Sequence, residues 1–238
     1  MHSYTRHKLK QDKFAETAQD AVHWASGHRK TVIWVTSAVL IVAGVTIGLL
    51  VWHNRQSDQA NFALSKAMRT FATPLREEGA PVPTEGVPTY TTMAERGKES
   101  AKLFKDVADK YPYTKAGKIA LYMAGAATLQ AGDDASGEQQ LKSLADSRDQ
   151  DIASLSKLAL ANHYRAIGRQ PDAAKLYKEL ADRPSNTVSK AEAQLELADM
   201  YMTTSPLDAA NLYQQIQKEN PPPSPAGSIA AAKLKAGK

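Results

Sequence analysis

The residues of this chain that could do chemistry are an acidic group and one histidine in its second half. Asp133, Asp134 and Glu138 lie close together, and carboxylates in such a group can bind a cation. Their spacing lacks the alternating ligand pattern of a calcium loop. We therefore interpret them as a turn followed by a helix start, where Asp caps the first turn and negative charge is favoured.

His163 is the one histidine away from the N-terminal region, since the other five lie at or before position 53. No HExxH, GxSxG, P-loop or GxGxxG motif occurs, and no nucleophile is paired with a base. The chain has no Cys, which excludes disulfides and thiolate metal sites. We therefore expect no enzyme and no cofactor or metal, with His163 packed or exposed rather than catalytic.

The element that organises the chain is the stretch Val32–Trp52, which contains no charged residue. A helix needs about 20 apolar residues to cross the hydrocarbon core of a bilayer. A cleaved signal peptide has an apolar region of only about 7–15 residues and a small-residue cleavage site after it, which His53–Ser57 does not offer. We predict an uncleaved transmembrane anchor at residues 31–53.

The tail before the anchor, residues 1–30, is basic, with six Lys and Arg against three acidic residues. It therefore carries +3 of the formal net charge of +5, and the rest of the chain is close to neutral. Lys and Arg next to a span favour the cytoplasmic side, so we expect a cytoplasmic N-terminus and a C-terminal domain in the periplasm of a bacterium. A near-neutral domain argues against nucleic-acid binding.

Two features of the tail and anchor suit contacts with other molecules. A narrow apolar face around Phe14 and Val22 is typical of an amphipathic helix on the membrane or on a partner, although a partly ordered lead-in fits as well. Gly44 and Gly48 form a GxxxG pair, which lets two membrane helices approach closely. A homodimer through the anchor is one interpretation, and the general frequency of Gly in membrane helices is the other.

The chain after the anchor repeats itself with a period of 36 or 37 residues. Four columns of residues keep this spacing, two on each helix of a predicted pair. The columns are Phe104, Leu141, Tyr177 and Tyr213; Val107, Leu144, Leu180 and Ile216; Ala124, Ala161 and Ala198; and Ala127, Tyr164 and Tyr201.

These columns predict an all-α fold in which helix pairs stack on one another. A small residue lets two helices approach where they cross, and a large residue of the next helix fills the groove beside it. We expect an α-solenoid of about four helix pairs over residues 54–220, because a single pair cannot bury its apolar face alone. An exposed Pro-rich loop at 74–90 interrupts the first pair, and residues 221–238 form a Pro-rich stop with a short helix at Ser228–Lys235.

The repeats resemble the tetratricopeptide repeat (TPR). The third unit follows that family's order of small, large, Gly, small and aromatic residues through Ala161, Tyr164, Gly168, Ala173 and Tyr177. The units are longer than the family's usual length of about 34 residues, so they are TPR-like. The resemblance implies a protein–protein interaction module, with the first pair formed by segments 56–73 and 93–111.

The order of parts resembles the ancillary subunit of the bacterial Sec translocon: a short basic tail, one membrane span and a TPR-like helical domain. Members of that family lie in the inner membrane beside the translocation channel and associate with periplasmic chaperones. The resemblance implies translocon subunits, chaperones or other envelope-assembly components as partners. An adaptor of another envelope or secretion machine and a tether that sequesters a soluble regulatory factor are alternatives.

Overall fold

The computed structural model describes residues 24–76 and 89–236, and within these ranges the chain is all-α. The predicted tail helix and most of the Pro-rich loop lie outside the described residues. The helices are α1 Arg29–Phe71, α2 Met93–Lys110, α3 Lys115–Gln130, α4 Asp134–Ala145, α5 Gln150–Ala166, α6 Gln170–Asp182, α7 Lys190–Thr204, α8 Pro206–Glu219 and α9 Pro225–Ala236.

Helix α1 is 43 residues long and contains the predicted anchor. Its most apolar stretch has a mean hydropathy of 2.3 and is 0% buried, so α1 is long and apolar enough to cross a membrane. The helix ends at Phe71, three residues before Pro74, as expected because Pro disfavours helical geometry in the residue before it. The chain divides into two compact units, Met1–Arg55 and Gln56–Lys238, so the division falls two residues after the predicted end of the anchor.

Within the second unit each helix from α2 to α8 packs against the next one along the chain. In addition, α3 packs on α5 and α7 packs on α9. The residues of α1 that belong to this unit contribute Ala60 and Ala67 to a core cluster with Phe104. Burial of an apolar face between successive helices therefore holds the unit together.

The turns between helices are fixed by the residues that the sequence marks as breakers. Gly132 and Gly168 follow α3 and α5 with φ of +87° and +82°, a left-handed conformation that Gly adopts without a steric penalty. The side chain of Asp133 accepts a hydrogen bond from the Ser136 N–H at 3.1 Å, which confirms its prediction as a helix cap.

The turns before α3 and α9 are built in the same way. Thr114 and Ser224 each bond through the hydroxyl to a carbonyl upstream, at 2.9 and 2.7 Å, and accept the N–H of the Gly three residues later. Those glycines, Gly117 and Gly227, lie directly against a carbonyl oxygen. A Cβ on either glycine would stand 1.9 or 1.8 Å from that oxygen.

Two boundaries differ from the sequence predictions. Tyr90, the last residue of the predicted exposed loop, is buried, and its carbonyl accepts the Arg76 N–H at 2.9 Å. The two ends of the loop therefore meet, and its C-terminal end belongs to the folded unit. The C-terminal helix begins at Pro225 and not at Ser228, because a Pro in the first turn needs no helical N–H and Ser224 caps the turn.

Candidate functional site

The structure buries almost every residue that the repeat columns single out. Leu144 and Tyr201 are only half-buried, and Tyr201 packs at the junction of two core clusters. The buried members are Phe104, Val107, Ala124, Ala127, Leu141, Ala161, Tyr164, Tyr177, Leu180, Ala198, Tyr213 and Ile216.

Two of the aromatic column residues use their hydroxyl in the same way. The Tyr177 hydroxyl donates to Asn162 Oδ1 at 2.5 Å, and the Tyr213 hydroxyl donates to Asp199 Oδ1. Asn162 and Asp199 are 37 residues apart and each directly follows an Ala of the small-residue column. The hydrogen bond therefore recurs with the sequence period, from the second helix of a pair to the first.

The pair formed by α3 and α4 has an apolar substitute for this bond. Leu141 occupies the aromatic position, and Gly125 occupies the position of Asn162. A Cβ at Gly125 would lie 3.0 Å from the Leu141 side chain, so these helices are in close contact. Where the hydroxyl exists, burial raises the pKa of Tyr177 to about 12, and Tyr177 remains a neutral donor.

A groove runs along one face of α5, between α4 and α6. It consists of two adjoining cavities of about 380 and 400 Å³ that share lining residues. The α5 part of the lining extends from Gln150 to Tyr164, a length of about 21 Å at the helical rise of 1.5 Å per residue. We refer to these two cavities together as the α5 groove.

One end of the α5 groove is organised by Glu138 of α4. Its carboxylate accepts hydrogen bonds from Lys142 at 2.6 Å, from the Tyr164 hydroxyl at 2.7 Å and from Arg169 at 3.2 Å. The Arg169 guanidinium also lies over the Tyr164 ring, 4.0 Å from its centre, a favourable cation–π geometry. The network joins α4, α5 and the start of α6.

The same contacts set the protonation of Glu138. The ammonium of Lys142 has the largest effect, and with Tyr164 and Arg169 it lowers the pKa of Glu138 to about 2 although partial burial opposes the shift. Because the folded pKa lies below the ordinary value of 4.5, the network stabilises the fold above that pH. The stabilisation is lost as pH falls from about 4.5 towards 2.

We expect Glu138→Gln to lower the free energy of unfolding at pH 7 by about 2 kcal/mol, since it weakens charge-assisted hydrogen bonds of three donors. Urea unfolding of the full chain in zwitterionic detergent, followed by circular dichroism at several pH values, measures the difference between the two proteins. The difference should shrink as pH is lowered through 4.5 towards 3. A pH-independent difference would show that Glu138 acts through packing and not through its charge.

The middle of the α5 groove is crossed by an ion pair. Lys157 of α5 and Glu179 of α6 are 3.1 Å apart, and both residues line both cavities. The two side chains are 29% and 40% exposed, so solvent and solutes reach them. The pair therefore separates the two cavities without closing the groove.

The other sequence candidates stay apart from this groove or form no site. His163 Nε2 lies 3.9 Å from Asp134 Oδ1. No group of three metal-ligating side chains occurs in residues 24–76 and 89–236. A Cβ added at Gly44 or Gly48 would meet no atom within 4 Å, so the predicted dimer face is open in the single chain and the dimer stays a prediction.

The sequence does not indicate the α5 groove. Glu138 looks like the negative charge of a helix start, and Arg169 looks like a turn residue after Gly168. They meet because α4 and α6 both pack on α5, and their separation of 31 residues matches no local rule. Only the excess of Lys and Arg between positions 142 and 183 hints at a charged surface.

The chain matches no family model, no curated protein and no solved structure. Residues 24–76 and 89–236 define only a class: they are all-α, with one helix near the N-terminus that is long and apolar enough to span a membrane.

Proposed function

We propose that this protein is a membrane-anchored scaffold whose helical unit binds other proteins. The observation that carries the proposal is the combination of an exposed apolar helix of membrane length with a unit that presents a solvent-open groove about 21 Å long. A groove of this kind, flanked by several charged side chains, suits a peptide or a partner loop. A membrane anchor on the same chain would keep those partners at the membrane surface.

We also propose that the second unit is a TPR-like solenoid of about four helix pairs. The pairs would be the end of α1 with α2, α3 with α4, α5 with α6, and α7 with α8. The edge-to-face contact of Phe71 with Phe104 at 5.9 Å supports the first pair. The recurring Tyr hydroxyl bonds and the packing of α3 on α5 and of α7 on α9 support the periodic stacking of the others.

The setting of the scaffold follows from charge and from the order of its parts. The basic tail favours a cytoplasmic N-terminus and a periplasmic second unit in a bacterial inner membrane. By resemblance to the ancillary subunit of the Sec translocon, we propose translocon subunits and periplasmic chaperones as partners. The chemistry of the scaffold is binding, with no reaction step of its own.

Orientation and partners can be tested in one set of cells. Thiols placed at Ser3 and at Tyr113, which is 85% exposed, report the side of the membrane through labelling by an impermeant maleimide. A photo-crosslinking amino acid at Lys175, which lines the α5 groove, and another at Tyr113 capture neighbours in intact membranes. We expect labelling at Tyr113→Cys alone, and adducts with translocon or chaperone proteins.

The possible results separate the proposals. Labelling at Ser3→Cys alone would place the helical unit in the cytosol and end the translocon interpretation. One soluble regulatory protein as the crosslinked partner would favour a sequestering tether, and a different envelope machine would favour an adaptor. Absence of protein adducts from both positions would contradict the scaffold function.

A further inference from the structure

We propose that the α5 groove binds an extended acidic peptide segment of a partner protein, with side chains that alternate between carboxylate and aliphatic. This inference rests on the proposed scaffold function and specifies the chemistry of the ligand that the scaffold binds. It is carried by the charge of the groove rims, the apolar floor and the ion pair that crosses it.

The rims of the α5 groove carry more positive than negative side chains. Its lining contains six Lys and Arg residues and three Asp and Glu residues. Arg148, Lys175 and Arg183 have no carboxylate partner in the described part of the chain, whereas Asp146 is the one lining carboxylate without an ion pair there. The unpaired side chains therefore leave a net positive rim that is complementary to a carboxylate-rich segment.

The floor of the groove favours a peptide over a polynucleotide. Leu160 is buried in the half of the groove that reaches Tyr164, and Leu176 and Ala145 also line that half. Aliphatic side chains can pack on this floor, while a phosphate backbone gains nothing from it. An extended strand advances by about 3.3 Å per residue, so the groove holds about six residues, which alternately face the floor and the rims.

The Lys157–Glu179 ion pair shows where a carboxylate of the ligand would bind. Glu179 already places a carboxylate against Lys157 in the middle of the groove, at 3.1 Å. A ligand carboxylate can replace it because the pair is reached by solvent and such exposed pairs contribute only about 0.2–1 kcal/mol. Glu179 is then an internal competitor, and its removal should strengthen ligand binding.

The test measures fluorescence anisotropy of a labelled hexapeptide of alternating Glu and Leu with the full chain in zwitterionic detergent. Lys157→Gln and Lys175→Gln should each weaken binding about threefold, the effect of losing one partly exposed ion pair. Glu179→Gln should strengthen binding by about the same factor, because it frees Lys157. Added salt should weaken binding in the original protein.

Matched controls come from the exposed Lys105–Asp109 pair on α2, which is 2.8 Å long and remote from the groove lining. Lys105→Gln and Asp109→Asn change the net charge in the same way as the groove variants and should leave binding unchanged. A hexapeptide of alternating Lys and Leu should not bind. Lys175 has no ion pair among the described residues, so its replacement removes charge without breaking a contact of the fold.

Three results would overturn the inference. The first is equal binding of the Glu–Leu peptide by the groove variants and the α2 control variants. The second is binding of the Lys–Leu peptide. The third is tighter binding of a thymidine hexanucleotide that depends on Lys157 in the same way. If partners still crosslink at Tyr113, any of these results would reject only the assignment of the α5 groove as the peptide site and would leave the scaffold function intact. Loss of all crosslinked partners would instead reject the scaffold function.

Discussion

Replacement of Tyr177 by Ala is expected to lower the free energy of unfolding by about 3–5 kcal/mol, the range for a large buried aromatic side chain. Tyr177 is 0% exposed and lies in the cluster that joins the middle helices of the second unit. The substitution leaves a cavity between α5 and α6 and removes the bond to Asn162. In a thermal melt of the full chain followed by circular dichroism, the midpoint should fall by roughly 10 °C.

Tyr177→Phe is the matched variant, because it keeps the ring and removes only the hydroxyl. We expect it to cost about 1 kcal/mol, since one neutral hydrogen bond is lost and Asn162 still reaches water. Tyr113→Ala should leave the midpoint unchanged because the side chain is 85% exposed. If Tyr177→Ala melted at the original temperature, the interpretation of the aromatic column as core would be wrong.

The second large effect is expected at Gly117, where Ala should cost about 3 kcal/mol or more, at or above the top of the usual range for overpacking. The added Cβ would stand 1.9 Å from the Tyr111 carbonyl oxygen. That oxygen is held by the Thr114 N–H at 3.1 Å and by the Thr114 hydroxyl at 2.9 Å, so it cannot move without breaking the turn. Urea unfolding of the full chain measures the loss.

Gly132→Ala separates this steric effect from conformational strain. Gly132 has a φ of +87° and no atom within 4 Å of a new Cβ, so the variant should cost only about 1–2 kcal/mol, the penalty of the left-handed region. Gly227→Ala should behave like Gly117→Ala because its Cβ would meet the Asn220 carbonyl oxygen at 1.8 Å. Equal losses of unfolding free energy in Gly117→Ala and Gly132→Ala would argue against the proposed clash at Gly117.

The sequence indicates the helices well because each depends on local signals. Small residues must recur where helices cross, and Pro, Gly and capping residues must occur where helices end. The prediction that the exposed loop extends to Tyr90 is wrong for the opposite reason. Pro density predicts an exposed loop, whereas the burial of one Tyr depends on a surface formed by other helices. The predicted start of α9 is wrong because a Pro can end one segment or occupy the first turn of the next helix.

The sequence does not predict the α5 groove, for a related reason. Contacts such as Glu138 with Arg169 and Lys157 with Glu179 join helices whose relative rotation is set by core packing. A shift of one residue along either helix turns a side chain by about 100° and would separate these pairs. The periodicity fixes which residues are inside, and the three-dimensional packing decides which surface residues meet.

The matching turns before α3 and α9 have a consequence for how such a chain can change in length. Thr114 and Ser224 are 110 residues apart, as are Gly117 and Gly227, and this distance is about three repeat periods. The segment 115–224 therefore follows one cap-and-glycine junction and ends at another with the same contacts, although the turn before Ser224 is one residue longer. Tandem duplication of that segment in the gene would add the six helices α3 to α8 a second time, and the new boundary would already have its cap and its glycine.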